Sequence, residues 1–247
     1  DTASSARADI PALRRAMGDH PAFFAVDAIA SLGCDAMHMD DWGVDLLVSA
    51  SQKGLMTPPG LAFVWISERL RTREKSDLTT PYWDWAPRIA AQELWQYWDG
   101  TPPVQHVFGM TEALRMLDEE TLPKVWARHQ GLARATWAAL DAWGAGGTGI
   151  APVQADPAAR AHAVTAATLP GATRLREWTQ TQAGVTLGTG LGAADPDNAL
   201  RIAHMGYANA AQLLGTLAVI EAGLSALDIR HGPGAVEAAA RVIAAAG

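Results

Sequence analysis

Two apolar runs, VDLLVSAS from Val44 and LAFVWIS from Leu61, flank the turn-rich segment QKGLMTPPG. Both runs are short, rich in β-branched and aliphatic residues and bounded by turn signals, so both read as buried strands. Lys53 therefore falls at a strand end, just ahead of two prolines that fix φ and remove backbone donors. Upstream, Ile10, Leu13 and Met17 recur at helical spacing behind Asp9 as an N-cap and Pro11 in the first turn, which predicts a short helix ending near Gly18. AFFAVD, residues 22–27, reads as a strand that ends in a carboxylate, Asp27. AIASLGC then reads as a loop, and MHMDDWGVD leads into the strand before Lys53.

The apolar spacing beyond TPPVQ predicts helices over 106–117 and 122–143, the second ending in the breaker GAGGTG, a candidate domain hinge. AHAVTAATLP reads as a strand, ATRLREWTQTQ as a helix, GVTLGTGLG as a strand with a glycine-rich loop, and LRIAHMG as a strand. Asn209 with Gln212 forms a capping box for the helix AAQLLGTLAVIEAGL. The order predicts an α/β layer over residues 1–145, with sites at its strand ends, followed by a smaller α+β domain over 146–247. Within the first of these lies an aromatic-rich segment with Tyr82, Trp83, Trp85, Trp95, Tyr97 and Trp98, read as an interface ahead of a core because Asp, Arg and Gln are interspersed.

The chain has 247 residues, 49% of them hydrophobic, enough for a sizeable core. Its net charge of −7 comes without any basic run, which argues against nucleic acid as a partner. One cysteine, Cys34, cannot form an intrachain disulfide framework or a multi-thiolate metal site, and a reducing, cytoplasmic setting is expected. No apolar run reaches the roughly 20 residues that span a bilayer, so no membrane association is expected. The histidines His38, His106, His129 and His204 lack ligand-like spacing, and no metal is predicted.

Asp27 and Lys53 end two neighbouring strands and would project from one sheet edge. An ion pair alone would account for them. The functional alternative is pyridoxal phosphate, whose aldehyde needs an amine and whose pyridine nitrogen needs a carboxylate. At this point VDAIASLG followed by SASQKGLMTPPG resembles the class V, fold-type I aminotransferases, in particular the alanine-glyoxylate and serine-glyoxylate group. DTAS at the start, GTPPV at 100–104, VWARH at 125–129 and LRIAHMG at 200–206 are similar to that family as well.

The resemblance implies the C-terminal part of a three-layer α/β/α large domain plus the smaller α+β domain, and a homodimer with shared active sites. It implies that Lys53 carries the internal aldimine and moves the substrate α-proton, and that Asp27 pairs with the pyridinium nitrogen. Gln52 and Thr2 match positions near the cofactor's phosphate and phenolic oxygen. Thr101 matches a threonine that reaches the neighbouring subunit's cofactor phosphate, and Arg201 the arginine that grips the substrate carboxylate. The implied reaction moves an amino group from a small amino acid, alanine or serine among them, to glyoxylate or another 2-oxo acid. Gln52 stands where the related cysteine desulfurases carry a histidine, which disfavours that chemistry. The family's glycine-rich phosphate turn and ring-stacking aromatic have no counterpart here, so the chain is expected to be N-terminally truncated. An inactive fragment or dimerisation module, and a lyase with the same cofactor, stay open as alternatives.

Overall fold

A computed structural model of the chain describes residues 1–73, 80, 82–98 and 100–245. Part of the charged stretch SERLRTREKSDLTT, residues 74–79, lies outside the described residues, as do Pro81 and Asp99 of the aromatic segment. The predicted first helix forms as α1 (Ile10–Met17): the Asp9 carboxylate accepts the Ala12 N–H at 2.9 Å, Pro11 lies in the first turn, and Gly18 closes it at φ 53°.

α1 flanks a three-stranded sheet. β1 (Ala25–Asp27) runs parallel to β2 (Leu46–Ala50), and β2 runs antiparallel to β3 (Ala62–Ile66). Asp27 is paired in register with Val48, so it and the segment after Ala50 leave the same edge of the parallel pair. β1 is shorter than predicted. Phe23 lies outside it, its ring beneath the Arg69 guanidinium at 4.7 Å, while Phe24 packs on the small core formed by Val26, Ala28, Val44 and Leu47. The prediction that both apolar runs are buried holds only for β2, whose residues alternate in burial. β3 is an edge strand with Val64 47% and Trp65 39% exposed. An uninterrupted apolar run records residue type and not which side is covered, which is why the sequence misleads here.

Two short helices, α2 (Glu68–Arg71) and α3 (Ala86–Ile89), precede the long helices α4 (Val104–Glu120) and α5 (Leu122–Gly144). α4 starts two residues before the predicted site, because Pro103 acts as its N-cap and needs no amide donor there. Thr121 alone, at φ 70°, turns the chain from α4 into α5. Trp83 at 74%, with Tyr82, Trp95 and Tyr97, is exposed, so these rings do not fill a core of this chain.

The second sheet has the order β4-β5-β7-β6, antiparallel throughout, from β4 (Ala151–Pro152), β5 (Val164–Thr168), β6 (Gly188–Thr189) and β7 (Ala199–Ala203). Helices α6 (Ala172–Ala183), α7 (Ala210–Ala226) and α8 (Ala235–Ala245) pack with it. The Asn209–Gln212 capping box at the start of α7 is formed as predicted. Leu132, Leu140 and Trp143 of α5 join Leu200, Ile202, Leu217 and Ile220 in one core, so α5 spans from the first sheet's helices into the second unit.

Candidate functional site

The loop that carries Lys53 is shaped by Ser51. Its hydroxyl donates to the Pro58 carbonyl at 2.7 Å and accepts the Leu61 N–H, while its carbonyl accepts both the N–H and the hydroxyl of Thr57. The Lys53 carbonyl accepts the Met56 N–H at 3.0 Å. At the far end, His106 Nε2 donates to the Pro59 carbonyl, tying the loop to α4. Gly54 has no room for a side chain: a Cβ there would sit 2.1 Å from the Leu32 carbonyl oxygen and 3.1 Å from Cys34 Sγ. The turn after β1 and the turn after β2 are thus in backbone contact, and the half-buried Lys53 side chain is the neighbour of that contact.

Lys53, Gln52, Thr2 and Arg201 line one cavity of about 320 Å³, together with Val185, Leu187 and Met205. Arg201 reaches it because β7 alternates: Leu200 and Ile202 face the second unit's core, and Arg201 faces the cavity. Its Nε donates to the Thr189 carbonyl at 2.8 Å, which holds the guanidinium at the strand's side. Asp27 lines a second cavity of about 800 Å³, whose lining Thr2 also joins. The Asp27 Oδ1 accepts the Ile29 N–H at 2.8 Å. The predicted set is therefore brought together in two adjoining spaces that share Thr2. Thr101 is not part of either: it is exposed, ahead of α4.

The two sheets are joined by buried polar contacts. Ser5 Oγ accepts the Ala166 N–H at 2.6 Å and its carbonyl accepts the Ala161 N–H, which fixes the segment bearing Thr2 against β5. Asp35, in the turn after β1, lies 2.6 Å from His162 Nδ1. His204 donates from Nδ1 to the His162 carbonyl, and its Nε2 lies 2.9 Å from the Thr165 hydroxyl, which also accepts the Trp137 N–H. Burial pushes the His204 pKa down to about 4. Burial likewise pushes the Cys34 thiol up to about 12, against the opposing effect of the Gly206 backbone hydrogen bond, which disfavours the reactive thiolate.

Residues that the sequence did not assign gather behind this site. Glu120 grips Arg128 with both oxygens, at 2.7 and 2.9 Å, and Arg128 Nη1 donates to the carbonyls of Gly206 and Ala208. The guanidinium holds the Glu120 carboxyl below its ordinary range, and burial lowers the pKa of the adjacent His129, whose Nε2 is 3.1 Å from the Gly206 carbonyl. VWARH contains two of these residues, but a motif cannot show that their partners are backbone carbonyls 77 to 80 residues away. No group of His, Cys, Asp and Glu suited to a metal ion occurs among the described residues.

Comparison with known proteins places these features. The family profile described as Aminotransferase class-V matches residues 2–204. The serine–glyoxylate aminotransferase of Arabidopsis thaliana is 33% identical over 228 residues, 90% of this chain and 55% of the relative. The L-aspartate–glyoxylate aminotransferase of Paracoccus denitrificans is 32% identical, over 93% of this chain and 58% of the relative. The crystal structure of ureidoglycine–glyoxylate aminotransferase from Bacillus subtilis superimposes with a TM-score of 0.85 at 25% identity, covering 98% of this chain and 63% of that one. The chain thus spans less than two thirds of the length of the relatives it matches.

Proposed function

The chain belongs to the class V aminotransferase family, and on that premise we propose that it carries the lysine, aspartate and carboxylate-binding arginine of a transaminase that passes an amino group from a small amino acid to glyoxylate or a similar 2-oxo acid. Membership implies pyridoxal phosphate as the cofactor. The donor set fits it: an amine and a guanidinium on one cavity, a carboxylate on the adjoining one, and backbone approach at Gly54 too close for any side chain. The observation that carries the reading is that Lys53 and Arg201, 148 residues apart in sequence and on different sheets, line the same cavity.

When bound, pyridoxal phosphate supplies a cationic ring that draws electrons from the substrate's α-carbon. Asp27 would hold the ring nitrogen protonated, and the Lys53 amine would hold the cofactor's aldehyde end and take the substrate's α-proton. Arg201 binds the substrate carboxylate. With Nε committed to the Thr189 carbonyl, its two terminal nitrogens are the pair that can form a bidentate fork. Gln52 and Thr2, on the cavity wall, would hold the cofactor's polar substituents. Val185, Leu187 and Met205 give that wall an apolar face, which favours a small donor side chain such as that of alanine or serine. Thr101 serves the cofactor of a second subunit, and the exposed aromatic face over residues 82–98 is the surface across which a homodimer forms. The single buried cysteine suits a cytoplasmic setting.

Borohydride reduction of the full-length protein with pyridoxal phosphate, followed by peptide mass spectrometry, tests the reading. The label is expected on the Lys53 peptide and absent in Lys53→Ala. A label elsewhere, or none, overturns it. Sedimentation of the wild type and Trp83→Ser/Trp95→Ser tests the dimer, which should dissociate at higher concentration in the variant.

A further inference from the structure

Three loops meet behind Lys53, one from each element that carries a proposed site residue. The turn after β1, which follows Asp27, brings Cys34. The turn after β2 brings Gly54, and the turn after β7, which follows Arg201, brings Gly206. Gly206 has φ 71°, and a Cβ on it would lie 3.4 Å from the Lys53 carbonyl oxygen and 3.5 Å from Met56 Cγ. Its backbone is engaged by Cys34 on one side. On the other its carbonyl accepts from Arg128 at 3.0 Å and is 3.1 Å from His129 Nε2.

We propose that Glu120, Arg128 and His129 are positioning residues that clamp the Gly206 peptide onto the Lys53 turn and thereby set the separation between Lys53 and Arg201. The inference rests on the roles of Lys53 and Arg201 proposed above. Arg128 is suited to the task because one guanidinium meets two demands at once. Its Nε and Nη2 are held by the Glu120 fork, and this orients Nη1 toward the carbonyls of Gly206 and Ala208. A lysine has no such planar fork and could not satisfy the carboxylate and both carbonyls together. His129 is fully buried on the next residue of α5, its Nδ1 2.7 Å from the Val125 carbonyl and its Nε2 3.1 Å from the Gly206 carbonyl, so the ring fills the space between α5 and the turn. The turn Ala203–Ala208 is thereby fixed from α5, and through it the end of β7.

The consequence is a link between α5, which touches neither cavity, and the geometry of substrate docking. Small displacements at a reacting centre have large kinetic effects, and those of a carboxylate clamp fall first on KM. The test compares full-length wild type with Arg128→Lys, Arg128→Met and Glu120→Gln, and with Arg115→Met as a control on the exposed face of α4. Hydrogen exchange is measured without cofactor, and borohydride labelling and steady-state kinetics with it. Loss of the clamp is expected to speed amide exchange over residues 53–60 and 200–208 by about tenfold, with 109–117 unchanged. It is expected to raise KM for the amino donor about tenfold with a smaller fall in kcat, while Lys53 still takes the label. Arg128→Lys should resemble Arg128→Met, and Glu120→Gln, which keeps the guanidinium, should fall between them and the wild type. Wild-type exchange and KM in Arg128→Lys, or faster exchange spread equally into 109–117, would overturn the clamp. A wild type in which Lys53 takes no label overturns the reading on which the kinetic part rests, and the cofactor-free exchange data keep that failure distinct from failure of the clamp.

Discussion

In the four-stranded sheet the first four residues of β5 are all buried, whereas in the three-stranded sheet β3 leaves Val64 and Trp65 open to solvent. The same contrast runs through the cores. One continuous cluster, from Leu132 of α5 to Ala239 of α8, backs the second sheet, while the first is backed by two small groups around Val26 and Leu55. The proposed chemistry is distributed the other way, with Lys53 and Asp27 on the thinly packed sheet and Arg201 alone on the well-packed one. Stability and reactivity are thus separated between the two halves, and a site made at their boundary inherits a fixed wall from one and adjustable loops from the other.

That separation is open to measurement. The largest effect expected is on turnover: Lys53→Ala should lower kcat by about 10²–10⁴-fold or more while leaving the thermal midpoint within error, since the side chain is only half-buried. A large loss of stability in this variant would mean that Lys53 is a packing residue. Next comes Trp143→Ala, in the fully buried core of the second unit with its indole N–H on Glu221 at 3.0 Å. It should cost about 3–5 kcal/mol, against about 2 kcal/mol for Leu47→Ala under the first sheet, both read by denaturant unfolding. Equal costs would erase the contrast.

The third effect concerns His204. Its folded pKa of about 4 lies below the ordinary 6.5, so the unfolded chain binds the extra proton first as pH falls. The stability it contributes is complete above pH 6.5, declines between about 6.5 and 4, and is lost below, an effect of up to about 3 kcal/mol. Unfolding titrations should show that slope, and His204→Gln should flatten it. The smallest effect is expected for Trp65→Ser on β3, which removes a ring stacked on Phe63 at a centroid distance of 5.6 Å. It should cost about 0.5–1 kcal/mol, and a cost like that of Trp143 would show β3 to be covered in solution.

Features written in local residue order were legible in the sequence. Asp9 and Pro11 define α1, Asn209 and Gln212 start α7, and the spacing of Leu122 to Trp143 yields α5 nearly to the residue. Lys53, Gln52, Thr2 and Arg201 were found through a motif, and the fold gathers them on one cavity. What escaped detection depends on partners that the sequence does not mark. The open face of β3 depends on what lies beside it. The Arg128 and His129 contacts end on backbone carbonyls, which every residue possesses and which therefore leave no trace in composition or spacing.

Gly54 also bears on how the chain can vary over generations. With the Leu32 oxygen 2.1 Å from where a methyl group would stand, each single-base change that replaces this glycine obliges two turns to part, and the loop beside Lys53 with them. Gly215, on α7, has open space around it and is free to drift. Among variants of this protein that retain function, glycine at 54 should be invariant while 215 varies, and a lineage that has lost glycine at 54 should show compensating change at Leu32 or Gly33 before it regains a working turn.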